Sequence, residues 1–299
     1  MTKSQSKPAG SKPAKPTVLR VSYQGEPGAN SHIAALEVYP DCDPVGCTTF
    51  EDALGLLKSG DADLGMIAIE NSVAGRVADI HHLLPDSGLF IVGEHFLRVR
   101  HQLMALPGTR LEDVKDVFSH IQALGQCRVT LRALGLKAVT AADTAGSARM
   151  IKEAGKPSQA AIASELAAKI YGLEILKRDI EDEKHNTTRF VVLARAPVAM
   201  EAGNTSCVTS FVFKVRNVPA ALYKAMGGFA TNGVNITKLE SYQLGGSFSA
   251  TMFYADIEGQ PADRLVRLAL EELSFFSTEV RILGTYAASP LRAGLGGET

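Results

Sequence analysis

Residues 181–195 read EDEKHNTTRFVVLAR. Residues 181–184 are all charged, and Thr188, Phe190, Val191, Val192 and Leu193 follow as a strand-like apolar run. A solvated loop therefore hands over to a buried strand at residues 186–190, and Arg189 sits where the chain is about to be buried. Taken alone, the stretch reads as a loop whose Asn and Thr side chains bond their own backbone.

The chain upstream alternates strands with helices. VLRVSYQ (18–24) reads as a strand, GEPGANS (25–31) as a Gly-rich turn, and a helix starts at His32. CTTF (47–50) reads as a strand before the helix EDALGLLKSG, and LGMIAIE (64–70) as a buried strand. VADIHHLLP is a helix stopped by Pro85, and two strands flank Arg100. A second set follows: strand VFSH (117–120), then one helix over 121–135 from Ile121, Leu124, Val129, Leu131 and Leu134 at helical spacing. Strand KAVT, helix 144–155, strand AAIA and a helix closed by Gly172 complete it. This order predicts open α/β sheets, in which ligands lie beyond the carboxyl ends of strands.

Three such strand ends carry small or polar residues: the turn ending at Ser31, Glu70-Asn71-Ser72, and Ser119-His120. Their helix N-termini could present free N–H groups to an anion. Taken singly, each serine reads as an ordinary N-cap; the three corners together with NTTRF weigh as much toward a site.

Past residue 196 the chain becomes small and linker-like over 197–205. Residues 206–286 then read strand, helix, strand, strand, helix, strand, the ferredoxin-like βαββαβ order. Residues 1–17 read as a disordered tail, and 287–299 as a flexible one.

The formal net charge of −1 argues against nucleic-acid or membrane-surface partners held by bulk charge. No apolar stretch approaches the roughly 20 residues of a bilayer span, and the N-terminus has no secretory h-region. Cys42, Cys47, Cys127 and Cys207 form no C-x-x-C pair, so reduced thiols in a cytoplasm are expected. The seven histidines show no zinc spacing, and nucleotide-binding glycine motifs are missing.

Four blocks, YQGEPGANSHIAA, IENSVAGRV, SHIQALGQC and NTTRF, together resemble the prephenate dehydratase family with a C-terminal ACT regulatory domain. The resemblance implies a two-lobed, periplasmic-binding-protein-like α/β catalytic domain over 18–196 with the site between its lobes. One lobe takes about 18–100 and 188–196, the other about 101–180. It implies loss of water and carbon dioxide from prephenate to give phenylpyruvate, without metal or cofactor, because aromatisation drives the reaction. Thr188 then assists hydroxide loss, Phe190 positions it, and Asn71, Ser119 and Gln126 are neutral donors. Ser31, Ser72 and Thr187 are substrate-binding candidates. Arg189 reads either as a carboxylate clamp or as a structural ion pair, and Glu70 as structural, since a carboxylate would repel a dianion.

His120 reads as a proton shuttle or a capping group, Cys127 as buried core, and the 98–101 run RVRH as an anion guide or a solvated hinge. The ACT resemblance implies L-phenylalanine as effector, with Leu222, Asn232, Gly233, Glu240 and Ser241 as its candidates, and a homodimer or homotetramer. Tyr242-Gln243 stands where the family has Arg-Pro. Arogenate dehydratase is a competing reading, as is a non-catalytic amino-acid sensor, for which a two-lobed cleft is equally suited.

Overall fold

A computed structural model describes residues 18–200, 206–216, 218–243 and 250–292. The tail 1–17, part of the expected linker (201–205) and the last seven residues of the expected C-terminal tail lie outside the described residues.

The first lobe runs β1 (Arg20–Gln24), α1 (Asn30–Val38), β2 (Asp43–Cys47), α2 (Phe50–Ser59), β3 (Leu64–Asn71), β4 (Gly75–Arg76), α3 (Ala78–Leu83) and β5 (Phe90–Arg98). The second holds β6 (Gln102–Ala105), β7 (Asp116–His120), α4 (Ile121–Gln126), α5 (Arg128–Ala133), β8 (Lys137–Ala141), α6 (Thr144–Ala154), β9 (Gln159–Ala163), α7 (Glu165–Tyr171) and β10 (Glu174–Lys177). The chain then crosses back as β11 (Thr187–Ala194), which inserts antiparallel between β3 and β5. The resulting sheet orders are β2-β1-β3-β11-β5 and β10-β6-β9-β7-β8.

Within the lobes, the first helix starts at Asn30, two residues before the expected His32, and two further sequence expectations need correction. The strand predicted at 47–50 lies earlier, in β2, because Thr49 accepts from the Asp52 N–H and caps α2. The single helix over 121–135 is broken at Cys127. Asp182, arriving from the far end of the lobe, accepts from Val129 N at 2.9 Å and Thr130 N at 3.3 Å, which starts a new helix there. Ile121 and Val129, placed on the apolar stripe by spacing, are accordingly exposed. Cys127 is fully buried, as its pattern implied.

Beyond β11 come β12 (Cys207–Val215), α8 (Ala221–Thr231), β13 (Ile236–Gln243), β14 (Ala250–Glu258), α9 (Arg264–Phe276) and β15 (Ser277–Ala287). Their antiparallel sheet, β13-β14-β12-β15, is the ferredoxin-like arrangement. One face packs on α8 and α9 through Phe211, Phe213, Phe229 and Leu273. Its other face packs on the first lobe's sheet. Val208, Val212, Tyr254, Leu283 and Tyr286 share one core with Ile67, Ile69, Ile91, Val191 and Leu193. Gly284 is required at this joint, since a Cβ there would lie 2.0 Å from the Ile91 carbonyl oxygen. The start of the expected flexible tail is instead tied down: Glu94 accepts from Ser289 N at 3.0 Å and pairs with Arg292 at 2.6 Å.

Gly28 joins the two lobes. It has φ +92°, and a Cβ would meet the Ala167 backbone at 2.6 Å. Ser164, the cap of α7, donates to the Gly28 carbonyl at 2.5 Å. Only glycine permits both the turn and this approach.

Candidate active site

A cleft of about 300 Å³ opens between the lobes. Its first-lobe wall carries Gln24, Ser31, Ala68, Asn71, Thr188 and Phe190. His101 marks the hinge, and His120, Gln126 and Asp143 form part of the second-lobe wall. The side chains on β11 alternate as a strand requires. Phe190 and Val192 pack with the core under α1, whereas Val191 and Leu193 enter the joint with the third sheet. Thr188 and Phe190 therefore line the cleft, and Arg189 faces away from it.

β3 reaches the same wall by a different device. Thr188 pairs with Asn71, Arg189 with Glu70, but Phe190 with Ala68, so β3 carries one extra residue between them. The bulge shifts the alternation. Asn71 joins Ala68 at the cleft, while Glu70 turns to the joint. Glu70 there pairs with Arg189 at 2.9 Å and with Lys238, in keeping with the structural reading of this carboxylate.

Arg189 has no access to the cleft. It is 3% exposed, with Glu94 at 2.9 Å, Asp256 at 2.5 Å and the Tyr286 hydroxyl at 2.9 Å. Of the two readings the sequence left open, this geometry is the structural ion pair. Burial alone would raise the pKa values of Glu70 and Glu94. The adjacent cations, Arg189 and Lys238 for the first and Arg292 and Arg189 for the second, outweigh it and hold both below the usual carboxylate range. A larger cavity of about 670 Å³ lies beside these groups.

In the cleft, Asn71 Nδ2 donates to Thr188 Oγ1 at 2.9 Å and to Asn186 Oδ1 at 2.8 Å. Asn186 Nδ2 donates to Gln126 Oε1 at 2.8 Å. The same oxygen lies 2.8 Å from His101 Nε2. Burial pushes the His101 pKa down, so its ring stays neutral at neutral pH. No Lys or Arg is among the described lining residues. Instead the first turns of three helices reach the cleft: Asn30 and Ser31 of α1, Gln122 of α4 and Thr144 of α6. His120 caps α4 and Asp143 caps α6 through their side chains. α1 has no side-chain cap, which leaves its first-turn amides open to an anion.

Three other candidates lie off the lining. Ser119 is fully buried and donates to the Ile162 carbonyl at 2.7 Å across the second sheet. Ser72 donates to the His185 carbonyl and accepts from Thr187 N, so the pair fastens the crossing segment. None of Ser31, Ser72 and Ser119 is an N-cap. Of the 98–101 run, His101 is a buried cleft residue, while Arg100 is a solvated group 3.9 Å from Asp179. Sequence reasoning missed Asn186 as a site residue and named His101 only within the 98–101 run. Asn186 lay within the motif block and is 1% exposed, but only the fold brings it to Gln126.

The sequence profile of the prephenate dehydratase family matches residues 21–198, the whole of both lobes and the returning strand. The chain belongs to the prephenate dehydratase family. It is 49% identical over 272 residues to a bifunctional N-acyl-homoserine lactone acylase/prephenate dehydratase of Komagataeibacter europaeus, covering 91% of this chain and 97% of that one. It is 42% identical to arogenate dehydratase/prephenate dehydratase 2 of Arabidopsis thaliana, over 90% of this chain and 72% of that protein. The crystal structure of an Arthrobacter aurescens prephenate dehydratase in complex with L-Phe superposes with a TM-score of 0.82 at 32% identity, over 90% of each chain. No described helix is long and apolar enough to cross a membrane.

Among the five effector-site candidates, Asn232 ends α8, bonding the Gly228 carbonyl, and Gly233 follows at φ +65°. Leu222 packs on the helical core. Glu240 pairs with Lys238 at 3.3 Å, and the Ser241 carbonyl accepts from Arg76 at 2.9 Å. Tyr242, at the position of the family's Arg, is buried in the joint edge-on to His82.

Proposed function

We propose that this dehydratase acts on prephenate, releasing carbon dioxide and water to form phenylpyruvate. The ring carbon–carboxylate bond breaks and its electron pair enters the ring. The opposite C–O bond breaks, and the departing hydroxide takes up a proton to leave as water. The observation that carries the reading is the Thr188 hydroxyl, held by Asn71 in a cleft whose described lining has no cationic side chain. A Thr hydroxyl is too weak an acid for free proton donation. Aligned by Asn71, it stabilises the oxygen as negative charge builds there. The α1 amides at Asn30 and Ser31 take a carboxylate, and the Gln126 amide orients the other polar end. Ser119, Ser72 and Thr187 support the walls from behind.

Arogenate differs by an ammonium in place of the keto group, and the Arabidopsis relative's name covers both substrates. Asp143 is the one carboxylate among the described lining residues, and we read it as the group that would meet that ammonium. Turnover of each substrate by the purified enzyme, and by Asp143→Asn, separates the two: loss confined to arogenate assigns Asp143 to the ammonium. The Komagataeibacter relative's name also covers an acylase activity, and an assay for homoserine lactone release tests whether this chain shares it.

The ferredoxin-like unit is read as an ACT domain that binds L-phenylalanine between two copies of the chain. The Arthrobacter relative was crystallised with L-Phe, and β13, at the edge of its sheet among the described strands, carries Glu240 and Ser241. Calorimetry with phenylalanine tests this; absence of heat at millimolar ligand would remove the effector reading and leave the catalytic one.

A further inference from the structure

The direction of each hydrogen bond in the cleft follows from two backbone amides. Val73 N and Ala74 N lie 3.0 and 2.8 Å from one terminal atom of the Asn71 side chain. A backbone N–H only donates, so that atom is oxygen, and the other end of Asn71 is the NH₂. Its two hydrogens go to Thr188 Oγ1 and to Asn186. The Asn186 atom that receives one must be oxygen, so its NH₂ faces Gln126. The Gln126 atom that accepts is oxygen in turn, and His101 Nε2, facing the same oxygen, carries a hydrogen. Besides the second hydrogen of the Asn186 NH₂, which is not in the cleft wall, two groups of the chain keep hydrogens to give: the Thr188 hydroxyl and the Gln126 NH₂. Both line the cleft.

We propose that Asn186 is a positioning residue that fixes this polarity across the two lobes. It is not itself in the cleft wall. It is buried in the segment that crosses back from the second lobe, and its backbone carbonyl accepts from Val99 N in the other crossing segment at 2.8 Å. Its side chain bonds Asn71 of the first lobe and Gln126 of the second at once, so one amide both registers lobe closure and sets the donors toward the substrate. The inference rests on the dehydratase reading above.

The test is Asn186→Asp, which keeps size and shape. A carboxylate still accepts from Asn71 but has nothing to give Gln126, so Gln126 turns its amide and withdraws its NH₂ from the cleft. A neutral carboxyl restores the donor. The expected result is kcat lower by about 10- to 100-fold at neutral pH, with partial recovery as the pH falls toward about 5, a rise that wild type and Asn186→Ala lack. Wild-type kcat at neutral pH, or a deficit constant with pH, would overturn the proposal. Nitrogen NMR of the unsubstituted enzyme gives the same answer without a variant. His101 must carry its proton on Nε2, and the Nδ1–H tautomer would refute the chain. The tautomer is read whether or not prephenate is turned over, so failure of the dehydratase reading would be seen separately.

Discussion

β11 presents two unlike faces. Toward the cleft it shows Thr188 and Phe190, among amides, hydroxyls, two imidazoles and one carboxylate. Toward the third sheet it shows Arg189, between three carboxylates and a tyrosine. On the charged side, donors and acceptors satisfy one another, as deep burial demands. On the cleft side, Thr188 and Gln126 keep hydrogens that the protein does not use. Internal satisfaction makes a joint, and directed incompleteness makes a site. The bulge in β3 gives the neighbouring strand the same division, with Glu70 at the joint and Asn71 at the cleft.

The comparison breaks most severely at the joint. Arg189→Met leaves Glu94 and Asp256 buried without their common partner, and should lower unfolding stability by about 3–5 kcal/mol, read by denaturant melts. An unchanged midpoint would mean that the charges do not hold the two units together. Gly284→Val attacks the same joint by volume, and overpacking against Ile91 should cost about 1–3 kcal/mol with the cleft chemistry intact per folded molecule. Acid gives the smallest effect. Glu70 and Glu94 have pKa values below their ordinary 4.5 in the fold. Their contribution is therefore fully present above the unfolded value and is lost as the pH falls from there through the folded values. Thermal melts should decline below about pH 4.5, less steeply in Arg189→Met; parallel declines would remove these carboxylates from the acid response.

Much of this was legible in residues 181–195. The handover from charge to apolar alternation placed β11, and the T-R-F block placed Thr188 and Phe190. The side chain of Arg189 was not legible, because its direction has meaning only once a third sheet covers the back of the strand. Glu70 and Asn71 fall on opposite faces because of a bulge that no local pattern announces. Asn186 and His101 meet at Gln126 from 60 and 25 residues away, and the break at Cys127 depends on Asp182 from beyond 50. Such contacts belong to topology, whereas periodicity reports only burial.

The most direct test of the central claim is kcat for phenylpyruvate formation by Thr188→Val, which keeps the shape of the side chain and removes its hydroxyl, beside Thr188→Ser, which keeps the hydroxyl. The account predicts a loss of about 100-fold or more for valine, substantial activity for serine, and wild-type melting temperatures for both. A valine variant that turns over at the wild-type rate would contradict it.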